Sequence, residues 1–274
     1  MNAANLAEFA NGHEPAVRLG AYLGATAVVA AWEAIMPRRA RVLPRLGRWP
    51  GNLGIAAVNT LAARLVLPAA AVGMSGLAAE RGWGLFNLYA LPDWATVVLS
   101  VMLLDLAIYA QHVLFHAIPP LWRLHRMHHT DLDVDVTTGV RFHTIEILLS
   151  VLLKMGAVVA LGAPVLAVIV FEVLLNTVTM FNHGNIRMPA AVDRLLRWVM
   201  VTPDMHRVHH SIIPRETNCN YGFNLPWWDR LFGTYRDQPA AGHDGMTLGL
   251  AIFRDPGEQR LDRMLAQPFR GSGK

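Results

Sequence analysis

Residues 105–129 read DLAIYAQHVLFHAIPPLWRLHRMHH. The stretch joins an apolar helical run to a dense set of imidazoles. His112 and His116 are four residues apart, so on a helix they share one face, one turn apart. His125, His128 and His129 follow as H-R-M-H-H, and 81 residues later His206, His209 and His210 repeat the spacing as H-R-V-H-H. Ten of the twelve histidines lie between His112 and His210. His143 sits just before the last long apolar block and His183 just after it. Positions i, i+3 and i+4 converge on one side of a helix, so each triplet is able to aim imidazoles at a shared point. That is the pattern of metal ligation. Eight to ten imidazoles exceed the shell of one ion, whereas two ions with four or five nitrogens each fit the count. The duplication suggests one triplet for each ion. Imidazole suits Fe, Zn, Cu and Ni. The Glu-x-x-His pattern of soluble di-iron bundles is absent, as is H-E-x-x-H. Spacing therefore gives a dinuclear, histidine-rich centre and leaves the element open.

Outward from this stretch the chain is apolar. Of its 274 residues 53% are hydrophobic and 16% charged, against roughly 25% charged in a soluble domain. Mean hydropathy is +0.31. Disorder and a soluble globular class are disfavoured. A single cysteine, Cys219, excludes an internal disulfide. Met1 to His13 lacks a charged n-region before an apolar run and does not read as a secretory signal. Apolar stretches occupy Ala16–Met36, Leu53–Ala79, about Trp94–His116 and Ile145–Phe181. The second contains Arg64 and Pro68 and is expected to kink. The fourth is too long for one span; Gly162-Ala163-Pro164 divides it into a hairpin. The chain from Asn182 onward is too polar to cross a bilayer.

Charge orients these segments. Arg38, Arg39, Arg41, Arg45 and Arg48 follow the first stretch, Arg123, Arg126 and Arg141 follow the third, and twelve more Lys or Arg residues lie from Arg187 to Lys274. Lys and Arg mark the cytoplasmic side. The formal charge of +4 and pI of about 9.6 thus reflect topology rather than nucleic-acid binding. The N-terminus is expected outside, with every histidine cluster at the cytoplasmic face. Asp105, one heptad before His112, is placed to orient a ligand. Asp131, Asp133 and Asp135 mimic the start of a calcium loop, but Val136 and Phe142 occupy its required Gly and Glu positions; they read as a solvated loop. Lys154 and Glu172 read as snorkelling or paired, and Trp227, Trp228 and Tyr235 as interface anchors. No G-x-G-x-x-G or P-loop is present.

The chain resembles the fatty acid hydroxylase superfamily, also called the sterol desaturase family. The resemblance runs from about Asp105 to Tyr235. It is carried by D-x-x-x-Y-x-x-H-x-x-x-H at Asp105–His116, L-W-R-x-H-R-x-H-H at Leu121–His129 and R-F-H-x-x-E at Arg141–Glu146. It continues with F-N-H-G-N at Phe181–Asn185, T-P-D-M-H-R-V-H-H-S at Thr202–Ser211 and N-Y-G-F-N-L-P-W-W-D-R-L-F-G-T-Y at Asn220–Tyr235. Two positions depart from the family pattern: Thr144 stands where many members have Pro, and Thr179 where some have a second histidine. The resemblance implies an integral-membrane oxygenase acting on lipids, with two iron ions held by His112, His116, His125, His128, His129, His183, His206, His209 and His210, and His143 as a tenth candidate. Zinc is expected to substitute for iron on purification.

These readings give an all-α, polytopic membrane bundle with a cytosolic helical cap. Its expected parts are an N-terminal transmembrane region (1–92), a catalytic domain (93–238) and a polar tail (239–274). The expected function is O₂-dependent hydroxylation or desaturation of an unactivated C–H position. The lipid would enter from the bilayer and electrons would come from a ferredoxin, rubredoxin or cytochrome. Two other classes compete. A metal transporter or zinc-binding protein would place ligands near the bilayer midplane, and a bis-histidine haem carrier would need isolated histidines on facing helices.

Overall fold

The computed structural model describes residues 3–67, 70–89 and 91–271, with side chains from Pro15 onward. These residues form helices and no strand; two isolated antiparallel bridges, Pro37–Ile186 and Ser211–Leu248, pin loops together. The first half holds α1 (Ala3–Ile35), α2 (Arg45–Val66), α3 (Ala70–Arg81), the short α4 (Leu85–Leu88), α5 (Asp93–Ala117) and α6 (Pro119–His129). A 3₁₀ turn at Val136–Val140 leads to α7 (Thr144–Leu161) and α8 (Val165–Asn182). The remainder is a cap of short helices: α9 (Ala190–Leu196), α10 (Pro203–His209), α11 (Pro214–Thr217), α12 (Trp227–Leu231), α13 (Gly242–Gly245) and α14 (Leu261–Ala266).

Among the described residues, four stretches are long and apolar enough to cross a membrane: Arg45–Leu88, Asp93–Ala117, Thr144–Leu161 and Val165–Asn182. The chain is a multi-pass helical membrane protein. The expected first span, Ala16–Met36, lies largely in α1, which is not one of these four and carries Arg18 and Glu33. That helix packs along α8, where Val29 joins Met180 and Ile186 in a buried cluster. The second expected span is divided: α2 ends at Val66 and α3 begins at Ala70. Pro68, the expected cause, lies outside the described residues.

The hairpin forms where expected. Gly162 ends α7 at φ 64°, a left-handed cap that favours glycine, and Pro164 caps α8. Its tip is packed rather than free. Ser75 of α3 donates to the Ala163 carbonyl at 2.6 Å, and Gly84 approaches so closely that a Cβ there would lie 2.1 Å from the Gly162 nitrogen. Ala71, Leu104, Ile108, Val158, Ala163, Val168 and Phe171 then knit α3, α5, α7 and α8 into one core.

Chain direction does the rest. Ile118 leaves α5 in an extended conformation and Pro119 opens α6, a position where proline costs no hydrogen bond. The end of α5, all of α6, the start of α7 and the end of α8 therefore meet at one end of the bundle, and α10 of the cap closes over them.

Candidate metal centre

Nine imidazoles converge there. His112 and His116 come from α5, and His125, His128 and His129 from α6. His183 comes from the residue capping α8; His206, His209 and His210 come from α10 and its C-terminal cap. They divide into a set of five (His112, His116, His125, His129, His209) and a set of four (His128, His183, His206, His210). Within each set the facing nitrogens lie within 4.8 Å of one another. The expectation of one triplet per ion is corrected: each triplet is shared. Helix geometry gives the reason. Successive residues are rotated by about 100°, so His128 and His129 face different ways, while His125 and His129, at i and i+4, face together. In the second triplet His206 and His210 are the i, i+4 pair, and they serve the other set.

The hydrogen bonds of these rings fix which nitrogen points inward. His112 Nδ1 lies 2.7 Å from the Tyr221 carbonyl, His209 Nδ1 2.7 Å from that of Cys219, His183 Nδ1 2.8 Å from that of Thr179 and His128 Nδ1 3.2 Å from that of Arg141. His125 Nδ1 meets the Glu146 carboxylate at 2.6 Å. A carbonyl or carboxylate only accepts, so each Nδ1 carries the proton and each Nε2 presents a lone pair. Yet His112 Nε2 faces His125 Nε2 at 3.1 Å, and His128 Nε2 faces His183 Nε2 at 3.2 Å. Two lone pairs at that separation repel unless a cation lies between them. Nitrogens about 2.1 Å from one ion at right angles would sit about 3 Å apart, which matches. The buried His116 Nε2, His209 Nε2 and His210 Nε2 have no protein partner. The donor set therefore fits two imidazole-bound cations.

Burial first, and then the neighbouring imidazoles, holds His128, His129, His206 and His209 well below the ordinary imidazole range. Burial lowers His183 to about 4. Neutral rings are the ligating form.

Surrounding residues hold the rings in place. Glu146, from the first turn of α7, orients His125 as metal-bound imidazoles commonly require. Asp105 acts at one remove: it accepts from Asn224 Nδ2 (2.9 Å), Leu225 N (3.2 Å) and Trp228 Nε1 (2.9 Å). It thereby ties down the loop whose Tyr221 carbonyl orients His112. Trp228 is thus a buried tie rather than an interface anchor, whereas Trp227 is exposed.

The aspartates after the first triplet are buried, which corrects the expectation of a solvated loop. Arg48 of α2 donates to Asp131 from Nε and Nη2 (2.6 and 2.7 Å) and to Asp135 (2.7 Å). Arg141 closes the network through Asn52 (2.8 Å) and Thr130 (2.9 Å). Paired with arginine, Asp131 is held well below the usual carboxylate range despite its burial. His143, the tenth candidate, joins neither set. Its Nδ1 accepts from the Ile145 amide at 3.2 Å, capping α7, and its Nε2 lies 3.3 Å from the Leu265 carbonyl. Sequence reading counted Arg48 only as a charge that orients the membrane segments, passed over Asn52 and Asn218, whose Oδ1 lies 3.2 Å from His116 Nδ1, and quoted Glu146 only as part of a motif. A carboxylate in the first turn of a strongly apolar helix was the available signal for Glu146.

A cavity of about 780 Å³ opens beside the centre, between α1, α2, α3, α5, α7 and α8. His112 and His125 form part of its wall, with Phe115, Phe142 and Phe223 beside them. The volume suits a lipid-sized molecule.

The similarities to known proteins agree with this geometry. An ornithine lipid hydroxylase from Rhizobium tropici is 29% identical over 261 residues, covering 92% of this chain and 76% of its own length. Alkylglycerol monooxygenase from Xenopus tropicalis is 29% identical over 179 residues, 62% of this chain and 38% of its own. Cholesterol 25-hydroxylase from Rattus norvegicus is 27% identical over 165 residues, 60% of this chain and 53% of its own. No solved structure matches. The model of one family, fatty acid hydroxylase, matches residues 97–234. That segment carries all nine converging imidazoles together with Asp105 and Glu146, and the chain belongs to the fatty acid hydroxylase family.

Proposed function

We propose that this chain is a multi-pass membrane oxygenase. It hydroxylates or desaturates an unactivated C–H position of a bilayer lipid at a di-iron centre. One observation carries the reading: inward lone pairs of His112 and His125 face each other at 3.1 Å in the wall of a lipid-sized cavity. The three relatives, by name an ornithine lipid hydroxylase, an alkylglycerol monooxygenase and a cholesterol 25-hydroxylase, support a lipid substrate.

Bound there, two iron ions would supply the activation of O₂ and the removal of hydrogen from carbon. The balance for hydroxylation is one O₂, two electrons and two protons in, with one oxygen atom entering the lipid and the other leaving as water. No bound redox group is needed within the chain if a ferredoxin, rubredoxin or cytochrome delivers the electrons. The chain's own work is positional. Glu146 and four backbone carbonyls fix ring orientation, the phenylalanines border the cavity near the centre, and the six cavity-forming helices align the chain of the lipid. The arginine-rich segments after α1 and α5 and in the cap gather at the imidazole end. By the charge rule this supports a cytoplasmic centre.

The test is mass spectrometry of total lipids from cells expressing the intact chain or its His209→Ala variant, with a cognate electron donor supplied. A lipid gaining one oxygen, or losing two hydrogens, only with the intact chain is the expected result. Equal lipid profiles, with both proteins folded and the intact one metal-loaded, would overturn it.

A further inference from the structure

The chain from Asn182 onward is too polar to cross a bilayer, yet part of it is fastened to a helix that does. Trp228 of α12 donates to Asp105 of α5 at 2.9 Å, Phe232 stacks on Tyr109 with ring centroids 5.5 Å apart, and the Tyr109 hydroxyl lies 2.9 Å from that of Thr234. The 25 residues of α5, Asp93–Ala117, are about 37 Å long, against a hydrocarbon core of about 30 Å. Lipid-exposed backbone in that core must be helical, so α5 itself makes the crossing and has about 7 Å to share between its ends. Asp105 lies about 18 Å from both ends and Tyr109 about 12 Å from the nearer one. Wherever the core is set along α5, both residues fall inside it. The residues that touch them, Trp228 and Phe232, are therefore at hydrocarbon depth.

The outer side of this region is apolar. Leu195, Trp198, Val199, Trp227, Leu231 and Phe232 are 42% to 72% exposed, a density of large apolar side chains that marks an interaction surface. Trp227 Nε1 donates to the Trp198 carbonyl at 2.6 Å and so joins α9 and α12 into one face. Arg230 lies over the rings of Trp198 and Tyr235, 4.4 and 4.0 Å from their centroids. The backbone beneath is closed as well. The amides of Trp198, Val199 and Met200 bond the carbonyls of Leu195 and Leu196, that of Val201 bonds the Asn224 carbonyl, and those of Tyr221 and Gly222 bond the Asp229 carboxylate. Irregular backbone is tolerated at membrane depth only when the protein satisfies it in this way.

We propose that the α9–α12 face of the cap is seated among the acyl chains of the leaflet on the imidazole side, alongside α5. Its occupant is bilayer lipid, and this part of the chain enters one leaflet without crossing it. The surface is continuous with that of a membrane-crossing helix, and its depth follows from the contacts with Asp105 and Tyr109. The seat also reaches the imidazoles: Asp229 of α12 accepts from the Tyr221 amide at 2.8 Å, and the Tyr221 carbonyl orients His112. The proposal goes beyond the oxygenase reading and does not depend on it.

The test uses the unaltered full chain in proteoliposomes of phosphatidylcholine, part of which carries a diazirine midway along one acyl chain. After illumination, peptide mass spectrometry should find lipid adducts within residues 227–232 as well as on α5. Adducts on α5 with none within 227–232 would overturn the seat. A nitroxide gives the depth independently. It is placed by Leu231→Cys in a chain whose buried Cys219 is replaced by Ala, and compared with Leu152→Cys, exposed in the middle of α7, and Asp262→Cys, exposed on α14. The label at 231 should match the one at 152, open to O₂ and closed to a water-soluble nickel chelate. Nickel access equal to that at 262 would overturn the proposal. So would spin–spin broadening at 231 that vanishes on dilution with unlabelled chain, since a second copy would then cover the face.

Discussion

The two H-R-x-H-H triplets have the same spacing and opposite allegiance. The first sends His125 and His129 to the set of five and His128 to the set of four; the second sends His206 and His210 to the four and His209 to the five. Their arginines differ as well. Arg126 donates to the Gln267 carbonyl at 2.7 Å and so latches the C-terminal segment. Arg207 donates to the Gly184 carbonyl at 3.1 Å, next to His183, and pairs with Asp204. One short pattern therefore does two jobs on each helix. Its imidazoles face the centre, and its arginine ties that helix to a different neighbour. Exchange of ligands between the triplets also means that neither set survives the loss of either helix, which couples the cap to the membrane bundle.

The comparison is broken most severely by removing one ligand from each triplet. His125→Ala and His206→Ala should both abolish lipid oxidation, even though they belong to different sets; lipid mass spectrometry reads the outcome. Full activity in either would mean that only one set is functional. A smaller effect is expected from Arg48→Met, which strands the buried Asp131 and Asp135 behind the first triplet. Breaking such a pair costs about 3–5 kcal/mol, readable as a lowered thermal midpoint of the detergent-solubilised chain. Glu146→Gln keeps the shape but weakens the hold on His125. A loss of about 10–100-fold in metal affinity or activity is expected, by metal titration against a chelator, and no change would make Glu146 a bystander. His143→Ala should do least: metal content stays at that of the unaltered chain, because the ring caps α7. A fall in metal content would return it to the ligand shell.

Much of this was readable from local sequence, because local geometry carried it. The triplets, the HxxxH pair and the Gly162-Ala163-Pro164 hairpin depend on neighbours within a few residues. What stayed hidden depended on distant partners. Asp131 looked solvated because Arg48, which buries it, lies 83 residues away. Trp228 looked like an anchor because its acceptor Asp105 is 123 residues away. The division of the triplets was hidden for another reason. Spacing shows that His128 and His129 point apart, but only the packing of α10 against α6 and α8 shows which ring each one meets. Likewise the partners of Arg18 and Glu33 in α1, which are Glu172 and the amides of Val136 and Asn185, are distant in sequence.

The central claim is two imidazole-bound ions, one in each set. Metal analysis of the full chain after anaerobic loading with ferrous iron tests it directly, beside His116→Ala and His210→Ala, which remove a ligand from the five and the four respectively. Two irons per intact chain, with fewer in each variant, is the predicted result. A folded, intact chain that takes up one iron or none would contradict it.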